Sequence, residues 1–352
     1  MANKLSASSK SSMLTRIITA IVLVAVLVPC LILGGWFYFV LGMFLLVVGT
    51  HEILVVPGKD KYSLLIKIIT QAYAILFALS FFIKPWAKGL NPFQLDMSLM
   101  TLSFTDLLLP ISLMLLYFFI LFFIAILSEK VKLEDVTYLF AIETFFVCGI
   151  VSLFFVRYLP NATGILGNTS AFKDGFASAN KDQRWASCVF LLVLAIGTWS
   201  SDIGAYFVGV LFGKHPMNPR ISPHKTWEGF IGGCVFSYLC YFGLGALFEF
   251  AFKIPLIPGL IQYSSSSLLF AMNVLGGSSW VFLTIIGLLL PFTGNLGGFL
   301  FSLIKRHYAI KDYGKIFPGH GGVIDRFDSL LTNALIASLL LSFMSVGFNL
   351  VA

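Results

Sequence analysis

Two aspartates near the C-terminal end of the chain have the type and spacing of a cation site. Asp325 and Asp328 lie three residues apart in the segment GGVIDRFDSLL, where a long apolar run begins. On a helix, side chains three residues apart lie on one face, and two carboxylates so placed repel each other unless a cation relieves the repulsion. Such oxygen ligands favour Mg²⁺, which commonly takes substrate phosphates as further ligands. The alternative is that the acids only favour the positive end of a helix.

A glycine-rich turn, Pro318 to Gly322, directly precedes the two aspartates. Glycines allow backbone N–H groups to approach an anion closely, and the turn leads into a helix N-terminus, which favours negative charge. His320 lies inside the turn and could donate to a phosphate oxygen or transfer a proton. A cation site, an anion cradle and clustered bases predict phosphoryl or nucleotidyl transfer, which depends on positioning and charge stabilisation. The bases, with one further acid, are Lys305, Arg306, Lys311 and Asp312.

A second polar segment, ISPHKTWEGF, lies further upstream. Ser222, Lys225 and Thr226 combine hydroxyls with a base, and that combination suits phosphate binding. Glu228 either orients a nucleobase or binds metal, and Asp202 lies near the end of the preceding apolar run. The sequence contains no G-x-x-x-x-G-K-[ST] loop, which excludes a P-loop NTPase.

The pattern of these residues resembles the signature of the phosphatidate cytidylyltransferases, also called CDP-diacylglycerol synthases. The upstream segments SDIGAYFVG and SPHKTWEGFIGG also resemble this family, in which the second segment usually reads S-P-K-K-T-W-E-G. His224 replaces the first of those lysines here, which leaves Lys225 as the contact to an anion. The resemblance extends from about residue 198 to the C-terminus. The signature positions present are Ser302, Lys305, Arg306, Lys311, Asp312, Pro318 to Gly322, Asp325, Arg326 and Asp328.

The resemblance implies a membrane enzyme that converts CTP and phosphatidic acid into CDP-diacylglycerol and pyrophosphate with Mg²⁺. It also implies a homodimer whose active sites open to the cytoplasm and sideways to the lipid. The catalytic residues that it implies are Asp325, Asp328, Lys305, Arg306, Lys311 and His320. It assigns substrate contacts to Ser222, Lys225, Thr226, Glu228, Gly321, Gly322 and Arg326. It assigns metal binding to Asp325 and Asp328, with Asp312 and Asp202 as further candidates.

One position departs from the pattern of many bacterial members of this family. Those members carry Gly-Asp just before the signature, and that aspartate is thought to bind metal. The matching residue here is Gly298, and the resulting Gly-Gly is more similar to eukaryotic members. We hypothesise that Asp202 or Glu228 supplies the missing carboxylate.

The composition predicts that these segments are positioned by membrane helices. Hydrophobic residues make up 58% of the 352 residues and charged residues only 11%, whereas soluble domains contain about 25% charged residues. This excludes an ordinary soluble domain, and it excludes a disordered chain, which needs low hydrophobicity. The net charge of +7 does not indicate nucleic acid binding, because Lys and Arg collect in the cytoplasmic loops of membrane proteins. The predicted fold is an all-α, polytopic helical bundle.

About nine apolar runs approach the length of about 20 residues that a membrane helix needs. With the N-terminus in the cytoplasm, 16 of the 23 Lys and Arg residues lie in inside segments, which predicts a cytoplasmic N-terminus and an outside C-terminus. The polar segments 201–228 and 302–328 then lie on the same, cytoplasmic side. The predicted spans are 17–34, 36–56, 64–83, 107–128, 136–159, 186–213, 229–252, 279–304 and 327–350, and residues 254–275 are predicted to form a loop or re-entrant piece.

Two features of the spans bear on the architecture. Pro291 and the glycines around Asn295 predict either a helix broken beside a cavity or a simple proline kink. Gly204, Gly209 and Gly213 form a stripe that predicts close helix packing.

The predicted organisation is one membrane unit, with N-terminal helices over 1–160 and a catalytic region over 186–352. The predicted location is a bacterial plasma membrane, with the endoplasmic reticulum membrane as the alternative. Three other functions stay open: a cytidylyltransferase for another lipid phosphate, a transporter with broken helices, and an inactive scaffold. A CDP-alcohol phosphotransferase is excluded because its D-G-x-x-A-R motif is absent from the sequence.

Overall fold

The computed structural model describes residues 7–81, 104–162, 181–252 and 278–349. Within these ranges the chain forms nine helices and one short antiparallel hairpin. The first five helices are α1 (Ala7–Leu33), α2 (Gly35–Val55), α3 (Leu64–Ser80), α4 (Phe104–Leu127) and α5 (Leu133–Ala162). They are followed by α6 (Lys181–Phe212), β1 (Pro216–Asn218), β2 (Ser222–Thr226), α7 (Trp227–Ala251), α8 (Ser278–His307) and α9 (Ile324–Asn349).

Each of the nine predicted spans coincides with one of these helices, so the all-α prediction is confirmed. Six stretches in the described part of the chain are long and apolar enough to cross a membrane, and the chain is a multi-pass membrane protein. The full count of nine spans and the placement of the termini stay predictions, and the segment predicted over 254–275 lies outside the described residues. The six stretches are Gly35–Val55, Leu108–Leu127, Leu133–Arg157, Cys188–Phe212, Trp227–Phe248 and Leu283–His307.

The described residues belong to two compact units. The first unit takes its residues from Met1–Ser80, Pro110–Val147 and Ile304–Phe327. The second takes its residues from Phe81–Leu109, Cys148–Leu303 and Asp328–Ala352. The predicted boundary at about residue 160 separates N-terminal helices from a catalytic region. It stays a prediction.

The core of the first unit combines large apolar side chains with paired polar groups. Leu46, Ile53 and Phe146 are fully buried, and the Phe146 ring occupies the space that a side chain at Gly49 would need. Polar groups away from water need hydrogen-bond partners. Accordingly, Thr50 Oγ1 donates to Glu143 Oε1 over 2.6 Å.

A second polar group of this unit lies where α3 and α5 begin. Lys61 Nζ lies 3.1 Å from Asp135 Oδ2, and the Tyr62 hydroxyl donates to Asp135 Oδ1 over 3.3 Å. Burial, followed by the negative charge of Asp135, raises the pKa of Tyr62 above its ordinary value. Tyr62 therefore stays a neutral hydrogen-bond donor.

The second unit is built on close packing of α6 against α7, and glycines allow it. A Cβ atom at Gly204 would lie 2.5 Å from the Phe236 Cβ, and one at Gly209 would lie 3.6 Å from the Gly229 Cα. The prediction that the glycine stripe packs helices is therefore confirmed for these two positions. The hairpin that connects α6 to α7 pairs Pro216 with Thr226.

Helix α8 continues without interruption through Pro291, so of the two alternatives predicted there the broken helix is wrong. A proline inside a membrane helix removes one backbone hydrogen bond, which neighbouring groups can compensate.

A glycine close to Pro291 allows α8 to pack tightly against α9. A Cβ atom at Gly294 would lie 2.9 Å from Asn333 Nδ2. Asn333 accepts from Thr293 Oγ1 over 2.5 Å and donates to Thr198 Oγ1 over 2.8 Å.

Candidate active site

Asp325 is the most completely engaged carboxylate of the predicted site. It lies in the first turn of α9, and its side chain is 3% exposed. Its Oδ1 lies 2.9 Å from Lys305 Nζ, and its Oδ2 accepts from the backbone N–H groups of Tyr313 at 2.7 Å and Gly322 at 3.0 Å. A buried carboxylate with an ion pair and two N–H donors is held in one orientation. Lys305 and Asp325, both predicted from the sequence, are thus brought together.

The glycine-rich turn has a backbone conformation that only glycine adopts readily at two of its positions. Gly319 has a φ of 74° and Gly321 a φ of 86°, in the left-handed region. The N–H groups of His320 and Gly321 donate to the Phe317 carbonyl over 2.9 and 3.1 Å. The N–H groups of His320 and Gly321 therefore have an acceptor within the chain. The assignment of Gly321 and Gly322 to a substrate anion stays a prediction.

Arg326, another predicted residue of this segment, contacts the turn. Arg326 Nε donates to the His320 carbonyl over 2.6 Å. Arg306, Lys311 and Asp312 are exposed. Their assigned roles toward phosphates and metal stay predictions.

Glu52 of α2 contacts the same turn and was missed by the sequence analysis. Its Oε1 accepts from the Val323 N–H over 2.9 Å, and its Oε2 accepts from the Ile324 N–H over 3.0 Å. The residue is 5% exposed. The available signal was an acidic residue inside a predicted span, because ionisable residues at such positions are rare and need a partner.

In the second unit, Lys225 lies at the end of β2 with its amine held by two neighbours. Lys225 Nζ donates to Asn295 Oδ1 over 2.7 Å and lies 4.6 Å from the centre of the Phe299 ring. A Cβ atom at Gly298 would lie 3.3 Å from this amine. The glycine that departs from the bacterial pattern therefore leaves the space that Lys225 uses.

A cavity of about 240 Å³ brings together predicted residues of this unit. Its polar groups include a base, hydroxyls, an amide and an acid, and its apolar wall includes aromatic rings. Such a cavity can bind a small anionic group and exclude others by shape. Its lining residues are Ser201, Asp202, Ala205, Tyr206, Met217, His224, Lys225, Thr226, Gly229, Phe230 and Asn295.

Two other predicted residues of the HKTWEG segment make local contacts. Thr226 caps the N-terminus of α7, because its Oγ1 accepts from the Gly229 N–H over 3.1 Å. Glu228 accepts from His215 Nδ1 over 2.5 Å and from the Lys214 N–H over 3.1 Å. These bonds tie the chain before β1 to α7. A role of Glu228 toward a base or a metal stays a hypothesis.

Asp328 also belongs to the second unit. Its Oδ1 accepts from the Ser329 N–H over 2.7 Å, and its Oδ2 would lie 3.9 Å from a Cβ atom at Gly298. Within the described ranges, no three His, Cys, Asp or Glu side chains are grouped around a point where a metal ion could bind. Mg²⁺ needs only one or two carboxylates when waters and substrate phosphates complete its shell. Asp325 and Asp328 each have the carboxylate oxygens that Mg²⁺ prefers, and their assignment to the metal stays a prediction.

Comparison with known proteins identifies similar sequences along most of the chain. The model of the cytidylyltransferase family matches residues 14–344. A phosphatidate cytidylyltransferase of Staphylococcus aureus (strain COL) is 28% identical over 320 residues, which cover 91% of this chain and 95% of that protein.

Two further relatives match a shorter part of the chain. The phosphatidate cytidylyltransferase of Bacillus subtilis (strain 168) is 35% identical over 198 residues, which cover 51% of this chain and 63% of that protein. The one of Mycobacterium tuberculosis (strain ATCC 25618 / H37Rv) is 36% identical over 160 residues, which cover 46% of this chain and 39% of that protein. The chain thus spans less than two thirds of these two relatives.

Proposed function

Because the chain belongs to the cytidylyltransferase family, we propose that it transfers the cytidylyl group of CTP to phosphatidic acid. The products are CDP-diacylglycerol and pyrophosphate. The observation that carries the proposal is the similarity to a phosphatidate cytidylyltransferase along 91% of the chain. Each unit, taken by itself, contains charged groups of the types that such a reaction needs: the ion-paired Asp325 in the first and a cavity lined by Lys225 in the second.

The reaction is a displacement at the α-phosphorus of CTP. A phosphate oxygen of phosphatidic acid attacks in line, a new P–O bond forms, and the bond to the bridging oxygen of the β-phosphate breaks. The attacking oxygen is already anionic, so a strong general base is not required. Positively charged side chains act by neutralising charge on the phosphates and on the departing pyrophosphate. We assign this role to Lys225, Lys305, Arg306 and Lys311.

Asp325 and Asp328 are the proposed ligands of Mg²⁺, and both lie in the first two turns of α9. Bound Mg²⁺ would supply positive charge against the substrate phosphates. Lys305 and two backbone N–H groups hold Asp325 in place, so its orientation is set before substrate binds. Asp312 and Asp202 are the further candidates for metal.

The remaining assigned residues are proposed as substrate contacts. Side-chain donors, the carboxylate acceptor of Glu228 and the backbone N–H groups of the two glycines suit the polar parts of a nucleotide and a lipid phosphate. They are Ser222, Thr226, Glu228, His320, Gly321, Gly322 and Arg326.

The protein is proposed to lie in a bacterial plasma membrane, because the relatives it matches are bacterial. The endoplasmic reticulum membrane is the alternative. That it acts as a homodimer is proposed from the family resemblance alone. The active site is proposed to face the cytoplasm, where CTP is available. Tagging each terminus and testing its protection in sealed, oriented vesicles measures the topology directly.

Purified protein supplied with CTP, phosphatidic acid and Mg²⁺ is expected to form CDP-diacylglycerol and pyrophosphate in equal amounts. Removing the cation with EDTA is expected to lower the rate about 100-fold or more, and added Mg²⁺ is expected to restore it. Both products are measured in the same reaction. Release of pyrophosphate without a lipid product, or full activity in EDTA, would contradict the proposal.

The second candidate function is a cytidylyltransferase for a different lipid phosphate, such as a polyprenyl or ether lipid. Competition between these lipids and phosphatidic acid in the same reaction identifies the preferred acceptor. A transporter with broken helices is disfavoured because α8 continues through Pro291.

A further inference from the structure

Glu52 and Asp325 divide three successive backbone N–H groups between them. Gly322 donates to Asp325, whereas Val323 and Ile324 donate to the two carboxylate oxygens of Glu52. Because the donors are neighbours in the chain, moving the Glu52 carboxylate moves the amide that holds Asp325. The N-terminal end of α9 also favours negative charge at this place.

Two glycines show that the chain is shaped around the Glu52 carboxylate. A Cβ atom at Gly314 or at Gly322 would collide with carboxylate atoms of Glu52. Gly314 follows Tyr313, whose N–H is the other backbone donor to Asp325. Glu52 therefore contacts the chain beside both amides that orient the Asp325 carboxylate.

A purely structural group at this place would more simply be apolar, since Glu52 is buried in a helix of mostly hydrophobic residues. Burying a carboxylate is unfavourable unless it is fully hydrogen-bonded. The two N–H donors satisfy it only while the turn keeps its present conformation. We expect a buried carboxylate bonded in this way to make that conformation more specific.

We propose that Glu52 is a positioning residue, which holds the glycine-rich turn and the amides of Tyr313 and Gly322 so that the Asp325 carboxylate keeps the orientation that its proposed role as a Mg²⁺ ligand requires. The effect that we expect Glu52 to have on turnover rests on the proposed function. The effect that we expect it to have on the conformation of the turn does not.

The first test is hydrogen exchange in Glu52→Gln. Glutamine keeps the size of the side chain, but its NH₂ group faces a backbone donor and its negative charge is lost. We expect the amides within residues 312–327 to exchange about 10-fold faster than in the original protein, because a bond to a charged group is lost. The matched control is Glu143→Gln, another buried glutamate of the first unit, which contacts Thr50 and not the turn. Unchanged exchange in Glu52→Gln, or equal acceleration in Glu143→Gln, overturns the proposal.

The second test separates positioning from general loss of folded protein. A smaller folded fraction lowers kcat but leaves the KM for CTP unchanged. We expect Glu52→Gln to raise the KM for CTP about 10-fold, as expected when a residue that orients binding groups is lost. Glu143→Gln is expected to leave it within about 2-fold. An unchanged KM for CTP in Glu52→Gln contradicts the proposal.

A third variant keeps the proposal testable if Glu52→Gln does not fold. Gly314 has an ordinary φ, so Gly314→Ala disturbs the turn only through its collision with Glu52. We expect the amides of residues 312–327 to exchange faster in Gly314→Ala than in the original protein. Unchanged exchange in this variant overturns the proposal. If the original protein does not convert CTP, the proposed function fails, while the exchange measurements still decide the role of Glu52.

Discussion

Replacing Asp328 with asparagine is expected to lower the rate of CDP-lipid formation about 100-fold or more, while the protein still inserts into the membrane. The amide is the same size, and its oxygen can still accept from the Ser329 N–H that now bonds to Asp328 Oδ1. The negative charge that a divalent cation requires is lost. The rate is measured with purified variant at saturating CTP and phosphatidic acid, over a range of Mg²⁺ concentrations.

The matched control for this variant is Asp60→Asn. Asp60 is an exposed aspartate in the loop between α2 and α3, so the change removes the same charge without a proposed role. We expect its rate to stay within about 2-fold of that of the original protein, as for ordinary surface substitutions. Retention of more than a few per cent of the activity in Asp328→Asn would contradict the assignment of Asp328 to the metal.

The helices were predictable from the sequence because membrane helices are specified by local composition. An apolar run of sufficient length must satisfy its own backbone hydrogen bonds, so each predicted run formed a helix. The same reasoning predicted a span over 279–304, and α8 runs through it, but whether Pro291 breaks or only kinks the helix was left open. Whether a proline breaks a membrane helix depends on neighbouring groups that the local sequence does not reveal.

The ion pair of Lys305 with Asp325 was within reach of sequence reasoning, since both residues lie in one motif. Glu52 was not, because it is 271 residues away from the amide of Val323 that it contacts. The sequence likewise does not show which group a glycine makes room for. Gly322 suggested an open anion cradle, yet the absence of its Cβ leaves room for Glu52. A local glycine pattern indicates that another group lies close to the backbone, but only the three-dimensional fold shows which group that is.

Gly298 gives the same lesson for the second unit. The sequence showed only that an aspartate of many bacterial relatives is missing there. The structure shows that a Cβ atom at this position would lie 3.3 Å from Lys225 Nζ, so the residue lies beside the lysine of the cavity. The glycine at position 298 therefore affects the surroundings of the Lys225 amine as well as the number of carboxylates that could bind a metal.

Lys225→Met is expected to lower kcat/KM for CTP about 100-fold, because the cavity loses its base. Methionine has a similar length and can keep the contact with the Phe299 ring that Lys225 now makes. The change thus removes the charge and the hydrogen bond to Asn295 and leaves most of the packing. Initial rates over a range of CTP concentrations, at fixed phosphatidic acid, measure the effect.

The control for this variant is Lys214→Met, at an exposed lysine that precedes the same hairpin. Both variants lower the net charge equally, so a general loss of attraction for CTP would appear in both. A specific contact would appear only in Lys225→Met, and Lys225→Arg should recover only part of the loss, since a planar guanidinium does not replace a compact amine. If kcat/KM of Lys225→Met stays within about 3-fold of the original value, well below the loss expected from removing one stabilising group, the cavity does not bind the reacting phosphates.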